Sequence, residues 1–110
     1  MVMDPNLLKG NLDLIVLSVL EEGPMYGLRI IGEMQRRTDG YFDFKEGSLY
    51  PALHRLTASG MLEAEFQPSD VGGAPRKFYK LTEEGKHELE RKRQAFSKFV
   101  GAVQSLRGSQ

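Results

Sequence analysis

Apolar residues recur along the first half of the chain at the spacing of an α-helix. Leu12, Ile15, Val16, Val19 and Leu20 fall at i, i+3, i+4, i+7 and i+8, and Leu14 and Leu17 add a second apolar side. This predicts a first helix central to the core, stopped by Gly23-Pro24. A second helix is expected from about Tyr26 to Thr38, burying some of Ile30, Ile31 and Met34 while Arg29, Gln35, Arg36 and Arg37 face outward. Gly32 in its middle costs on the order of 1 kcal/mol relative to alanine, which suggests close packing there. Asp39-Gly40 reads as a turn.

The third helix is two-sided. Leu49, Leu53 and Leu56 form one buried stripe, whereas Ser48, Pro51 and Arg55 lie on the other side with Tyr50 and His54 along its flank. Proline lacks an N–H and is best tolerated in a first turn, so the N-cap is expected near Ser48. Gly60 is a natural C′ residue.

Beyond Gly60 the period changes to two. Leu62, Ala64 and Phe66 alternate with Met61, Glu63, Glu65 and Gln67, a strand with one wet face. Pro68 to Pro75, with Gly72-Gly73 and Val71 as its one large apolar residue, reads as a hairpin tip. A second strand follows over Arg76 to Leu81, with Tyr79 and Leu81 inward. Thr82 is a credible N-cap for a last helix reaching about Leu106, and Glu83 and Glu84 suit its dipole. The fold class is therefore mainly α with a small β-hairpin (α+β), a winged helix-turn-helix plus a long C-terminal helix. The expected domains are 1–82, a DNA-binding unit, and 83–110, a dimerisation helix.

In that last helix Leu89, Phe96 and Val103 are seven apart, followed at three residues by Lys92, Phe99 and Leu106. This is an a/d heptad pattern with one polar position, widened by Ala95 and Val100. Some 24 residues make a helix of roughly 36 Å, more than a three-helix domain can cover. The exposed stripe would mark an interface, so a homodimer is expected over a helix folded back on its own domain. Two recognition helices would then sit about 34 Å apart on one duplex.

Composition narrows the function. At 110 residues the chain fits one domain with a modest core. The absence of cysteine excludes disulfides, thiolate zinc sites and a cysteine nucleophile. His54 and His87 stand far apart, without metal-ligand spacing. No nucleophile–base pair or phosphate loop is apparent, so neither enzymatic activity nor a cofactor is expected. Leu12–Leu20 carries Asp13 and is half the length of a membrane span, and Asp4 and Asp13 stand where a signal peptide would be basic. A cytoplasmic protein without membrane association is expected. Fifteen basic and fifteen acidic side chains give zero net charge, which argues against electrostatically dominated nucleic-acid binding unless the charge is unevenly placed. It is unevenly placed: residues 75–82 hold Arg76, Lys77 and Lys80 without an acid, against Glu63, Glu65 and Asp70 on the first strand and loop.

Several candidate contacts carry two readings. Ser48 can donate to a phosphate or cap its helix. Tyr50 can reach phosphate or pack at the core edge, and Pro51 can meet a thymine methyl or fix where the helix begins. Arg55 is a groove contact or a solvated charge, and His54 a contact or a neutral surface residue. Tyr26 is placed to meet the DNA backbone or to serve the core, and Lys45 precedes the motif helix as a phosphate contact. Arg76 and Lys77 on a hairpin tip favour nucleic acid. Arg36 and Arg37 read as dipole complementation and solvation.

Four segments together resemble the PadR family of bacterial transcriptional regulators, in particular its short subgroup. They are Leu8-Lys9-Gly10 with the following helix; Gly23-Pro24-Met25-Tyr26-Gly27; Gly47 to Leu56, with serine where threonine is frequent; and Gly73 to Thr82, with Phe78 where tyrosine is common. The resemblance covers nearly the whole chain. It implies a homodimeric repressor whose C-terminal helix crosses to its partner, whose motif helix reads a pseudo-palindromic operator in double-stranded DNA, and whose wing touches the neighbouring backbone or minor groove. It also implies a candidate small-molecule effector in an apolar cavity at the dimer interface. Phe96, Phe99, Val100 and Val103 are thus dimer core first and ligand pocket second. With no tryptophan, an aromatic clamp would have to use Phe96 or Phe99. The competing reading is a winged-helix protein-interaction module without DNA binding.

Overall fold

The computed structural model describes residues 4–69 and 72–108. Its order is α1 (Pro5–Leu20), β1 (Met25–Tyr26), α2 (Gly27–Arg37), α3 (Glu46–Ala58), β2 (Leu62–Gln67), β3 (Arg76–Leu81) and α4 (Glu83–Gln104). Asp70 and Val71, assigned above to the hairpin loop, lie outside the described residues, as do the last two residues of the 83–110 segment.

The helix starts show what sets each boundary. The Asp4 side chain accepts from the Asn6 N–H, so α1 begins at Pro5, about two turns before the apolar pattern. Helix α3 begins at Glu46 with Lys45 as N-cap, not at Ser48. Pro51 is accordingly its sixth residue rather than a first-turn proline, and removes the N–H that would otherwise reach back to the Gly47 carbonyl. Gly47 is exposed, so that carbonyl faces water. At the other end Gly60, at φ +86°, lets the Gly60 and Met61 N–H groups turn back onto the carbonyls of Thr57 and Leu56 at 3.1 and 3.0 Å.

The sheet has three antiparallel strands in the order β1-β3-β2, where the sequence pattern indicated two. Met25 pairs with Tyr79 and Tyr26 with Phe78. Across the hairpin, Ala64 pairs with Tyr79, Glu65 with Phe78 and Phe66 with Lys77. Leu62, Ala64, Phe66, Lys77, Tyr79 and Leu81 thus share the face turned towards the helices, and Tyr26, Glu65, Arg76 and Phe78 share the other. The inward alternation of β2 stops at Ala64, because the hairpin projects beyond the helices and Phe66 is 70% exposed.

Leu17, Leu20, Ile30, Met34, Leu49, Leu53 and Leu62 are fully buried and fill the space between the three helices and the sheet. Each such aliphatic side chain contributes about 1.5–3 kcal/mol by leaving water. Gly32 faces open space; the close approaches are at Gly27 and Gly85 instead. A Cβ on Gly85 would strike the Met61 carbonyl, so α4 starts hard against the β2 entrance. Thr82 caps α4 by accepting from the Gly85 N–H at 2.9 Å and donates its hydroxyl to the Gly60 carbonyl at 2.6 Å.

Arg36 and Arg37, in the last turn of α2, are ion-paired as well, Arg36 while largely exposed. Both reach Glu33, at 2.8 and 3.1 Å, and Arg37 also reaches Glu22 at 2.6 Å. Their hydrogen bonds hold the Glu33 carboxyl down to a pKa of about 2.

Candidate nucleic-acid interface

The outer face of α3 presents Gly47, Ser48, Tyr50, Pro51, His54 and Arg55, all exposed, with Lys45 exposed at its cap. At 100° per residue, Gly47, Pro51 and Ala58 run down the middle of this strip, with Tyr50 on one edge and Ser48 and Arg55 on the other. Apart from His54, which lies beside Gly47 towards the Tyr50 edge, the middle is built from small side chains. The two edges are tied to the rest of the domain.

On one edge, the Tyr50 ring and hydroxyl pack against Gly27 at the start of α2, so closely that a Cβ there would overlap the phenol. Tyr79 is buried, and burial is the chief cause raising its hydroxyl pKa, with Tyr50 adding to it. The Lys77 ammonium lies 5.8 Å from the centre of the Tyr79 ring. The helix side of the sheet thus carries Lys77 at the wing and, two residues on, the buried Tyr79. On the opposite sheet face, the Arg76 guanidinium covers the Tyr26 ring at 4.3 Å, and Phe78 meets Tyr26 edge-on at 5.4 Å. The adjacent residues Arg76 and Lys77 thus point to opposite sides of the wing, as strand alternation requires. Tyr26, in β1 and at the cap of α2, is half-buried.

On the other edge, Arg55 makes a two-pronged ion pair with Asp13 of α1, at 2.7 and 2.9 Å. The hydrogen bonds that Arg55 donates to the Asp13 carboxylate raise the arginine's pKa. Arg55 is thus ion-paired while still more than half exposed, and the pair braces α3 to α1. Ser48, released from capping, has an exposed hydroxyl in the first turn of α3. The residues that sequence reasoning missed are Asp13 and Gly27. Asp13 was marked as the one charge within the apolar run Leu12–Leu20, and Gly27 stands next to Tyr26.

On α4, Leu89 is buried in its own domain's core and Val100 is half-buried. Phe96, Phe99, Val103 and Leu106 are exposed, Phe99 by 66% and Leu106 by 84%. Arg93 holds α4 to the end of α1 through a two-pronged pair with Glu21, at 3.0 and 2.8 Å. Between α1, α2, the loop carrying Phe42 and the Phe96 side of α4 lies an open, largely apolar cavity of about 570 Å³. Among the described residues, no helix is long and apolar enough to cross a membrane, and no group of three acidic or histidine side chains is placed to hold a metal ion.

A helix-turn-helix with its third helix exposed, flanked by a basic β-hairpin and followed by a long tail helix, defines a winged-helix DNA-binding class. The sequence profile of the transcriptional regulator PadR-like family matches residues 16–91, and the chain belongs to that family, one of transcriptional regulators rather than enzymes. A transcriptional regulator from Clostridium thermocellum superposes with a TM-score of 0.84 at 26% identity, over 94% of this chain and 99% of that one. The transcriptional regulator Rv3488 of Mycobacterium tuberculosis is 32% identical over 88 residues, 80% of this chain and 78% of its own length. Bacillus subtilis PadR, in a crystal structure with operator DNA, matches 73% of this chain and 45% of its own at a TM-score of 0.65 and 26% identity.

Proposed function

We propose that the chain is a homodimeric, cytoplasmic repressor that binds a pseudo-palindromic operator through α3 and the wing. Residues 1–82 form the DNA-binding unit and residues 83–110 the dimerisation helix. The carrying observation is the exposed outer strip of α3 beside a wing whose β3 carries the exposed Lys77 and, over the Tyr26 ring at the cap of α2, the Arg76 guanidinium. Ser48, Pro51 and His54 face the major groove, Lys45 and Tyr50 contact phosphate, and Tyr26, Arg76 and Lys77 contact the flanking backbone. Arg55 positions the helix from its ion pair with Asp13. Phe96, Phe99, Val103 and Leu106 form the dimer seam, Val100 borders it, and Leu89 anchors the helix that carries it. The 570 Å³ cavity beside Phe96 supports control by a small apolar effector.

Selection of genomic fragments by the purified protein tests this reading. The expected result is enrichment of an inverted repeat, with affinity falling steeply as salt rises. In the variant carrying Arg76→Ala and Lys77→Ala, binding to all sequences weakens and the salt slope falls by about two. Retention of a protein partner with no DNA binding at about 50 mM salt would overturn the proposal in favour of an interaction module.

A further inference from the structure

Phe66 stands apart from every other aromatic side chain in the domain. Tyr26, Tyr50, Phe78 and Tyr79 belong to the contacts that join the wing to α2 and α3, whereas Phe66 leaves 70% of its surface in water. Exposing a phenylalanine forgoes about 1.5–3 kcal/mol of burial, and nothing in the hairpin requires an aromatic residue at this register. Its position is informative. Phe66 sits on the sheet face turned towards the helices, directly across from Lys77, whose ammonium approaches Tyr79. Further inward that face packs on the helices, α3 among them, through the buried Leu62 and Tyr79. The wing therefore presents a cation and an aromatic ring side by side on the same side as the recognition helix, not on the opposite face with Glu65.

We propose that Phe66 is a DNA-contacting residue that packs on the deoxyribose faces of the duplex while neighbouring Lys77 takes the adjoining phosphate. The inference rests on the DNA-binding reading above and adds to it an uncharged contact. The chemistry matches because a nucleic-acid strand alternates anionic phosphates with apolar sugar faces, and one rung of the hairpin offers the complement to both. Such a contact reads no bases, so it raises affinity for every sequence alike. It releases no counterions, so it is insensitive to salt.

The test compares the wild-type chain with Phe66→Ala, Phe66→Leu and Lys77→Ala by fluorescence anisotropy on a mixed-sequence duplex of about 30 base pairs, long enough for two half-sites one helical turn apart, across a salt series. Phe66→Ala is expected to lose roughly tenfold in affinity with an unchanged slope of log K against log salt. Phe66→Leu should recover most of the loss, and Lys77→Ala should lower the slope by about one. Because the side chain is exposed, thermal melting of the Phe66 variants should match the wild type. Wild-type affinity in Phe66→Ala overturns the proposal while leaving DNA binding standing, and so does a changed sedimentation behaviour in that variant, which would place Phe66 in a protein interface. Failure of the wild type itself to bind the duplex removes the DNA-binding reading and this contact with it.

Discussion

The Asp13–Arg55 pair gives the sharpest prediction, because it joins two helices 42 residues apart and both of its prongs are short. Removing either side chain deletes a charge-assisted, two-pronged contact of the strong kind. The Arg55 side chain is 57% exposed and that of Asp13 26%, so solvent screening reduces the contribution to about 1 kcal/mol. Asp13→Ala, Arg55→Ala and the double variant should each lose about this amount, with the double no worse than either single. The coupling in the resulting cycle is then about 1 kcal/mol. Urea denaturation at one fixed protein concentration reads it as a shift in midpoint at constant slope, equivalent to about 4 °C in melting temperature. At about 1 M salt the coupling should shrink. Single-variant losses that simply add, with coupling under about 0.3 kcal/mol, would refute the claim that Arg55 braces α3.

Three further outcomes follow from the contacts described. Thr82→Ala removes the α4 cap and the donor to the Gly60 carbonyl and should cost about 1–2 kcal/mol in chemical denaturation, most of it restored by Thr82→Ser. Gly27→Ala forces the Tyr50 phenol outward and should cost about 1–3 kcal/mol, with Tyr50→Ala recovering stability in the double variant. Glu33 keeps its charge in the folded protein down to about pH 2, against an ordinary value of 4.5. The folded state therefore binds fewer protons than the unfolded one between those values. The stabilisation is complete above about pH 4.5 and is lost as pH falls towards 2. Unfolding followed across that window should show a weaker acid dependence in Glu33→Gln than in the wild type.

Much of this architecture was legible because helical and alternating periods change where the elements change. The apolar stripes of α1 to α3, the glycine stop at Gly60 and the Thr82 cap all express local rules with one dominant solution. Strand β1 was not legible: two residues cannot display a period, and Met25–Tyr26 are a strand only because β3 lies beside them. The start of α3 was misplaced because Pro51 was assigned to a first turn, whereas an exposed carbonyl at Gly47 tolerates a proline one turn deeper. The period of β2 was read correctly but not its reach, since alternation says which face a residue takes and not whether anything covers that face at Phe66. At the interface, residue type pointed to Tyr50, Arg76 and Lys77, while Gly27 and Tyr26, which meet Tyr50 and Arg76, come from distant sequence. Arg55 was read as a groove contact or a solvated charge, and its pairing with Asp13, on another helix, has no local signature in the sequence.

The joint at Gly60, Met61 and Thr82 has a mechanical consequence. The Met61 carbonyl accepts from the Thr82 N–H at 3.1 Å and from its hydroxyl at 3.1 Å, and Gly85 rests against it. The end of α3 and the start of α4 are thereby fixed to a single peptide group. The 22 residues of α4 extend about 33 Å from that pivot. A tilt of about 5° at the joint would carry Gln104 sideways by about 3 Å, on the order of one base-pair rise along a duplex. The tail helix is a lever with its fulcrum at the exit of α3, so a small angular change at either end is converted into a shift of registry at the other.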